Sequence, residues 1–393
     1  MKMYRRKKTQ PYKPIESSLL VFSYKAFLTT LLIVFSFFFH PLPVSREIII
    51  PSNLHSSKQE PSTVSKSLIL GQNLIVGIPG PVLDQSTASL LRDIKPGGIV
   101  LYQRNFRGFT QLQKLIQSLQ SLAFKTTGYP YYIMLDEEPE GALRTGLLKN
   151  IFPLGYPDWK KINEDIRLLA MTGINVELAP LADFPFLPNS FIAKRVPFSN
   201  QEDMRAFNRS FIQIMNQNSI QATVKHFPGL GMLSDDPHYQ VVTSSSTTET
   251  IEKSMKLFRD GIQGGAAFVM TSHALYDHLD KENLATFSKV IVTDKLQHEL
   301  GFEGIIITDD ISDMPLSIKG LNIAEAGIKA LEAGHQMIMY SHQLSRTKRL
   351  VDVLLLKAGQ DNEFQELLTH NYNKIIENKQ MHLPIPAQLL EYE

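Results

Sequence analysis

The sequence contains no cysteine and a single tryptophan among 393 residues. Without thiols there is no disulfide scaffold, no thiolate metal site and no cysteine nucleophile. Charge of one sign is not in excess: 40 basic residues stand against 39 acidic ones, a formal net charge of +1. Walker A, G-x-G-x-x-G and H-E-x-x-H patterns are all missing, so the usual signs of nucleotide binding and of a zinc peptidase are missing too. Gly and Pro, 22 of each, are at ordinary levels, which excludes a collagen-like or fully disordered chain.

The near-zero charge hides an uneven distribution. Residues 1–25 hold Lys2, Arg5, Arg6, Lys7, Lys8, Lys13 and Lys25 against Glu16 alone, a net of +6. About −5 is left for the rest of the chain. A mildly acidic body carries no electrostatic footprint for nucleic acid.

Residues 1–18 form the basic flank, and residues 19–39 are apolar apart from Lys25 and a few hydroxyls. A spanning helix needs roughly 20 apolar residues, and the core of a signal peptide about 7–15. The segment therefore reads as a transmembrane signal anchor or a cleaved signal peptide, with a buried core helix as the remaining alternative. In the first two cases the basic flank stays in the cytoplasm and the rest of the chain lies outside it, periplasmic or extracellular, tethered to the membrane or secreted. Residues 40–66, rich in Ser, Pro and Lys without a sustained period, read as a linker.

From residue 67 to 393 the pattern changes. Short apolar runs recur at 74–78, 98–101, 131–135, 176–179, 222–224, 267–270, 305–307 and 337–339. Segments with helical spacing lie between many of them, as at 109–122, 202–216, 250–263 and 323–333. Buried strands alternating with helices imply a parallel sheet covered on both faces. Eight strands in this length fit a (β/α)8 TIM-type barrel, one catalytic domain, better than a doubly wound open sheet. Six of the runs end in polar or ionisable residues: Asp136, Asp183, Lys225-His226, Ser272-His273, Asp309-Asp310 and Ser341-His342. In a barrel such ends converge on the C-terminal face, where active sites of this architecture sit.

Three segments carry the chemistry. In VKHFPGLGMLSDDPH (224–238), Lys225-His226 ends a strand and Asp236-Pro237-His238 closes a Gly-containing loop. An Asp two residues from a His can accept a ring N–H and raise the imidazole's basicity, as a general acid/base requires. In IIITDDISDM (305–314), a buried strand ends in Asp309 and Asp310. One acid is expected to face inward, as nucleophile, metal ligand or structural acceptor, and the other to turn to the following loop. In MLDEEPEGALR (134–144), Asp136 is expected to point inward alone, with the acids after it in a solvated loop.

Together these segments resemble glycoside hydrolase family 3, and within it the single-domain bacterial β-N-acetylglucosaminidase branch. The pieces that carry the resemblance are GGIVLYQRNF (97–106), the D-x-E of Asp136–Glu138, NVELAPLAD (175–183), KRVPF (194–198), KHFPGLG (225–231), DPH (236–238), MTSHALY (270–276), LATFSKVIVTDKLQHELGFEGIIITDD (284–310) and ALEAGHQMIM (330–339). The resemblance implies that Asp309 is the nucleophile, that His238 is the acid/base and that Asp236 is its partner. It implies that Asp136, Arg144, Arg195, Lys225 and His226 bind the sugar. It implies no cofactor and no metal. The chain departs from the family's usual GHG at Gly229-Leu230-Gly231, from EGGR at Glu138–Gly141, and from an Asp at Gln336.

The activity so implied is a retaining β-N-acetylhexosaminidase that removes terminal β-linked N-acetylglucosamine from peptidoglycan fragments or related glycans. A membrane-tethered glycan-binding protein with lost or altered catalysis, or a family 3 β-glucosidase or phosphorylase, are the alternatives. The expected partners are the carbohydrate and, through residues 19–39, the membrane; no nucleic acid is expected, and the chain is expected to be a monomer.

Overall fold

The structure is a computed structural model, described here for residues 64–139, 141–153, 155–313 and 321–383. The proposed anchor at 19–39 lies outside the described residues. Among the described residues, no helix is long and apolar enough to cross a membrane.

Eight parallel strands close into a barrel: β1 (Leu74–Gly77), β2 (Gly98–Leu101), β3 (Tyr132–Leu135), β4 (Val176–Glu177), β5 (Gln221–Phe227), β6 (Phe268–Thr271), β7 (Ile305–Asp310) and β8 (Met337–Tyr340). Closure is direct, because β1 pairs with β2 on one side and with β8 on the other. The open-sheet alternative is thereby excluded. Most strands are buried along their whole length, which is why the sequence shows continuous apolar runs instead of alternation.

The surrounding helices are α1 (Lys66–Gln72), α2 (Gln85–Ile94), α3 (Phe109–Thr127), α4 (Trp159–Thr172), α5 (Gln201–Gln217), α6 (Thr248–Gln263), α7 (Ile323–Glu332), α8 (Leu344–Gln360) and α9 (Asn362–His382). A π-helix, Val290–Glu299, packs beside them in the sixth crossover. Short polar residues start the helices by accepting backbone N–H groups: Asp84 from Thr87, Asp158 from Lys161, Asn200 from Asp203 and Thr247 from Thr250. Asn322 and Glu325 form a reciprocal capping box at α7. Gly128 and Gly173 end α3 and α4 in the left-handed conformation, which needs no Cβ.

Alternate strand residues face the barrel axis. Ile75, Val100, Met134, Leu178, Met270, Ile307 and Met339 belong to one interior cluster, separate from the larger apolar layer between strands and helices. Helix α9 crosses the N-terminal mouth. There the Tyr132 hydroxyl donates to the Ile375 carbonyl, and Lys379 Nζ donates at 2.8 Å to both Gln72 Oε1 and the Gly97 carbonyl. With the interior packed and the N-terminal end covered by α9, the C-terminal face is left for a ligand.

Candidate active site

A cavity of about 350 Å3 opens at the C-terminal face. Its floor is apolar, formed by Val100, Leu178, Met270 and Met339, and its walls carry the ionisable strand ends. Every residue of the expected site except Asp236 lines it, and Asp236 contacts it through His238.

Lys225, near the end of β5, is buried and bridges two acids from the loop after β3. Its Nζ lies 2.6 Å from Asp136 Oδ1 and 2.8 Å from Glu138 Oε1. Burial works against the ammonium charge, but the facing Asp136 and Glu138 outweigh it and hold the lysine pKa up. Arg144 Nη2 takes the other Asp136 oxygen at 2.7 Å. Arg195 grips Glu138 with Nε at 3.0 Å and with Nη2. Burial raises the Glu138 pKa, yet Lys225 and Arg195 more than reverse that and keep the carboxylate ionised. The expectation of a solvated acidic loop is therefore corrected: Glu137 and Glu138 are fully buried, and Glu138 is the hub of the cationic wall. The cause is the pair of cations brought by β5 and by the 191–195 turn, which no local pattern announces.

His226 is oriented from behind. Asp183 accepts its ring Nδ1–H at 2.8 Å, its backbone N–H at 3.1 Å and the Leu230 N–H at 2.7 Å. The opposite ring atom, Nε2, points at Asp309 Oδ2, 3.7 Å away. One buried acid thus fixes both the imidazole and the start of the loop that carries His238.

His238 and Asp236 form a local pair, with Nδ1 2.6 Å from Asp236 Oδ1. Asp236 also accepts the His238 backbone N–H at 3.0 Å, so the ring and its chain are held by one carboxylate. The free ring atom, Nε2, lies 3.4 Å from Asp309 Oδ2. That contact with Asp309 is the main reason the His238 pKa rises to about 10, against burial and with help from Asp236. Burial alone would raise the Asp309 pKa, but the hydrogen bond from His238 first, and the neighbouring His226, drive it well below the usual carboxylate range.

Asp310 takes a different role. Its carboxylate accepts the Ser312 and Ser341 N–H groups at 2.9 and 3.2 Å and the hydroxyls of both serines. The strand thus presents Asp309 to the cavity and ties Asp310 to β8 and the following turn. Asp310, Asp313 and His342 bring one ligand atom each within 4.8 Å of one another. His342 Nε2 already contacts Asp313 at 3.3 Å, and serine donors occupy Asp310, so contacts within the protein account for this group.

A family model described as "Glycosyl hydrolase family 3 N terminal domain" matches residues 70–373. The chain belongs to glycosyl hydrolase family 3. It is a glycoside hydrolase by that membership. The β-hexosaminidase of Xylella fastidiosa (strain 9a5c) is 26% identical to it over 290 residues, covering 68% of this chain and 83% of the relative. The β-hexosaminidase of Psychromonas ingrahamii is 27% identical over 344 residues, covering 80% and 99%. Among solved structures, the β-N-acetylhexosaminidase of Beutenbergia cavernae superposes with a TM-score of 0.72 at 28% identity, covering 81% of this chain and 99% of that one. A family 3 β-N-acetylglucosaminidase from Paenibacillus superposes with a TM-score of 0.74 at 25% identity; the match covers 82% of this chain and 64% of that longer protein.

Several residues of this family 3 site had no assigned part in the sequence reading. Asp183 stood out only as a polar strand end. Tyr102, whose hydroxyl donates to Ser341 Oγ at 2.8 Å, carries the Arg144 guanidinium 5.3 Å over its ring and lines the cavity. Its position just after the second apolar run was the available signal.

Proposed function

We propose that the chain is a retaining, exo-acting β-N-acetylhexosaminidase with Asp309 as nucleophile and the His238–Asp236 pair as acid/base. The observation that carries this is the convergence of an ionised carboxylate and a carboxylate-backed imidazole on one cavity of single-sugar size. The cationic wall of Asp136, Arg144, Arg195, Lys225 and His226 supplies donors and one acceptor for the sugar hydroxyls and the N-acetyl group. A closed floor limits the pocket to a terminal residue.

In the first step an Asp309 carboxylate oxygen bonds to the anomeric carbon while the glycosidic C–O bond breaks. His238 gives its Nε2 proton to the departing oxygen. In the second step neutral His238 takes a proton from water, whose oxygen attacks the anomeric carbon and releases Asp309. The raised His238 pKa suits the first step. The second step needs the imidazole unprotonated, and the ester bond supplies the change: it removes the Asp309 charge that chiefly sustains the imidazolium, bringing the pKa down so that His238 stays neutral and free to act as a base. At 3.4 Å the two groups touch, so on this reading His238 Nε2 and Asp309 separate to admit the glycosidic oxygen between them.

The physiological substrate on this reading is a peptidoglycan fragment or related glycan, met outside the cytoplasm by a barrel tethered through residues 19–39. Release of 4-nitrophenol from its β-N-acetylglucosaminide tests the chemistry. Asp309→Ala is expected to lower turnover by roughly 10³-fold or more. Activity of the wild-type protein no greater than that of Asp309→Ala overturns the proposal. Running the assay with and without phosphate, and looking for sugar 1-phosphate, separates hydrolysis from phosphorolysis. The intact mass of protein from a membrane fraction reports whether 19–39 is retained.

A further inference from the structure

Two buried glutamates behind the cationic wall are not used by the chemistry above. Glu137 follows β3 and Glu177 ends β4, strands that pair in register through Leu135 and Glu177. Glu177 Oε1 accepts the Glu137 backbone N–H at 2.7 Å. The Glu137 side chain then reaches across its own loop. Its Oε2 accepts the backbone N–H of Arg144 at 2.7 Å and that of Thr145 at 2.6 Å. The Arg144 guanidinium, held at its backbone by Glu137, meets Asp136 at the cavity wall. Glu137 and Glu177 are 0% and 1% exposed.

We propose that Glu137 and Glu177 are positioning residues for Arg144, a two-carboxyl latch that sets the guanidinium against the sugar and works with one proton held between the two acids. This rests on Arg144 being a sugar-binding residue. Two further observations support it. Each glutamate has one buried oxygen, Glu137 Oε1 and Glu177 Oε2, with no hydrogen-bond partner among the described residues. A carboxyl proton on Glu177 provides the donor that the free Glu137 oxygen needs, directly or through one water, whereas two carboxylates leave both oxygens unpaired. The charged groups acting on Glu177 are Glu137, Asp136 and Lys225; burial first, then the two acids, raise its pKa well above the ordinary value, and the hydrogen bond from the Glu137 backbone N–H, together with the nearby Lys225, opposes them only in part. On Glu137 the other oxygen, Oε2, is already occupied by two backbone donors.

Losing the latch leaves the reacting groups Asp309 and His238 in place but frees Arg144, so it acts on substrate capture. Glu137→Ala is expected to raise KM for the 4-nitrophenyl glycoside roughly tenfold with kcat changed much less. Arg144→Ala is expected to raise KM at least as much, and the double variant to add little, because both changes remove one function. Wild-type KM is expected to climb on the alkaline side as the pair loses its proton. Glu177→Gln keeps the acceptor oxygen and carries a permanent donor, so its KM is expected to match the wild type at neutral pH and stay flat where the wild type climbs. A Glu177→Gln profile that follows the wild type overturns the shared proton, and this near-isosteric variant decides the matter even if Glu137→Ala does not fold. Folded Glu137→Ala with KM within twofold of wild type, beside a raised KM in Arg144→Ala, overturns the latch alone. An unchanged KM in Arg144→Ala overturns the sugar-binding role on which it rests.

Discussion

The charge state of single residues decides this site. His238 is about a quarter exposed, 3.4 Å from Asp309 and 2.6 Å from Asp236, and its pKa stands near 10 against about 6.5 for an ordinary histidine. The sign of the effect follows. The imidazolium form stabilises the fold fully below about pH 6.5, and that contribution is lost as pH rises through about 10. Asp309 works in the opposite direction, its depressed pKa giving stability that is lost as pH falls below the ordinary carboxylate range. Because Asp309 is the largest cause of the His238 shift, Asp309→Asn is expected to bring the His238 pKa down toward neutrality. Titration of the imidazole by NMR checks this, and a pKa unmoved in Asp309→Asn refutes it. Nearby His273 shows the contrary case. It is buried between Thr286 and the Asp310 carbonyl, and burial lowers its pKa to about 4, so it stays neutral and structural.

At the scale of elements, the segment from the end of β5 to His238 matters most, because it holds binding and acid/base groups on one continuous stretch. Its path is dictated by close backbone approach. A Cβ on Gly231 would fall 1.7 Å from the Phe184 carbonyl oxygen. Gly229, at φ +131, would place a Cβ 2.0 Å from Ser254 Oγ. Leu230 between them is buried, and its N–H is one of the donors to Asp183. Where the family resemblance leads one to expect a histidine, this chain thus has a core residue whose backbone N–H serves Asp183. Gly231→Ala is expected to destabilise by about 1–3 kcal/mol through overpacking and to lower kcat by displacing His238. Thermal melting and glycoside turnover measured together test this; normal values of both would refute the account of the loop. Gln336, where an acid is usual in the family, donates to the Gly334 carbonyl and accepts the Ile306 N–H, an exchange of backbone contacts away from the cavity.

For the whole molecule, the barrel separates stability from chemistry at its two ends. Helix α9 covers the N-terminal mouth and inserts Lys379, which is 1% exposed, over the Tyr132 ring at 4.8 Å. Burial pushes its ammonium pKa well below the ordinary value; two oxygens and a ring are its partners, and among the described residues no carboxylate pairs with it to oppose that shift. Lys379→Ala leaves Gln72 Oε1 without its donor, takes one of two donors from the Gly97 carbonyl, which keeps the Tyr132 N–H, and opens a void. It is expected to cost about 2–4 kcal/mol of stability with kcat unchanged, because the cavity is at the other end. Denaturant unfolding beside the glycoside assay measures both; a kcat loss in folded protein would show that the ends are coupled.

Much of this protein was determined by sequence alone. Eight apolar runs separated by helical periods point to a parallel sheet covered on both faces, because strands with one solvated face alternate, and their count favours a barrel; closure itself rests on β1 pairing with β8. The runs then end in Asp136, Lys225-His226 and Asp309-Asp310 on one face because a barrel aligns its strand ends. The Asp236–His238 pair was legible for the same reason, since its contact spans two residues. Tertiary structure decided what depends on groups far apart in the chain. Glu138 belongs to the site only because Lys225 and Arg195, 87 and 57 residues away, neutralise it. Asp183 matters only because β5 passes beside it. Burial turned an acidic run that looked solvated into one wall of the cavity and the carboxyl pair behind it, since the cost of desolvating a carboxylate is met only by partners that folding brings together.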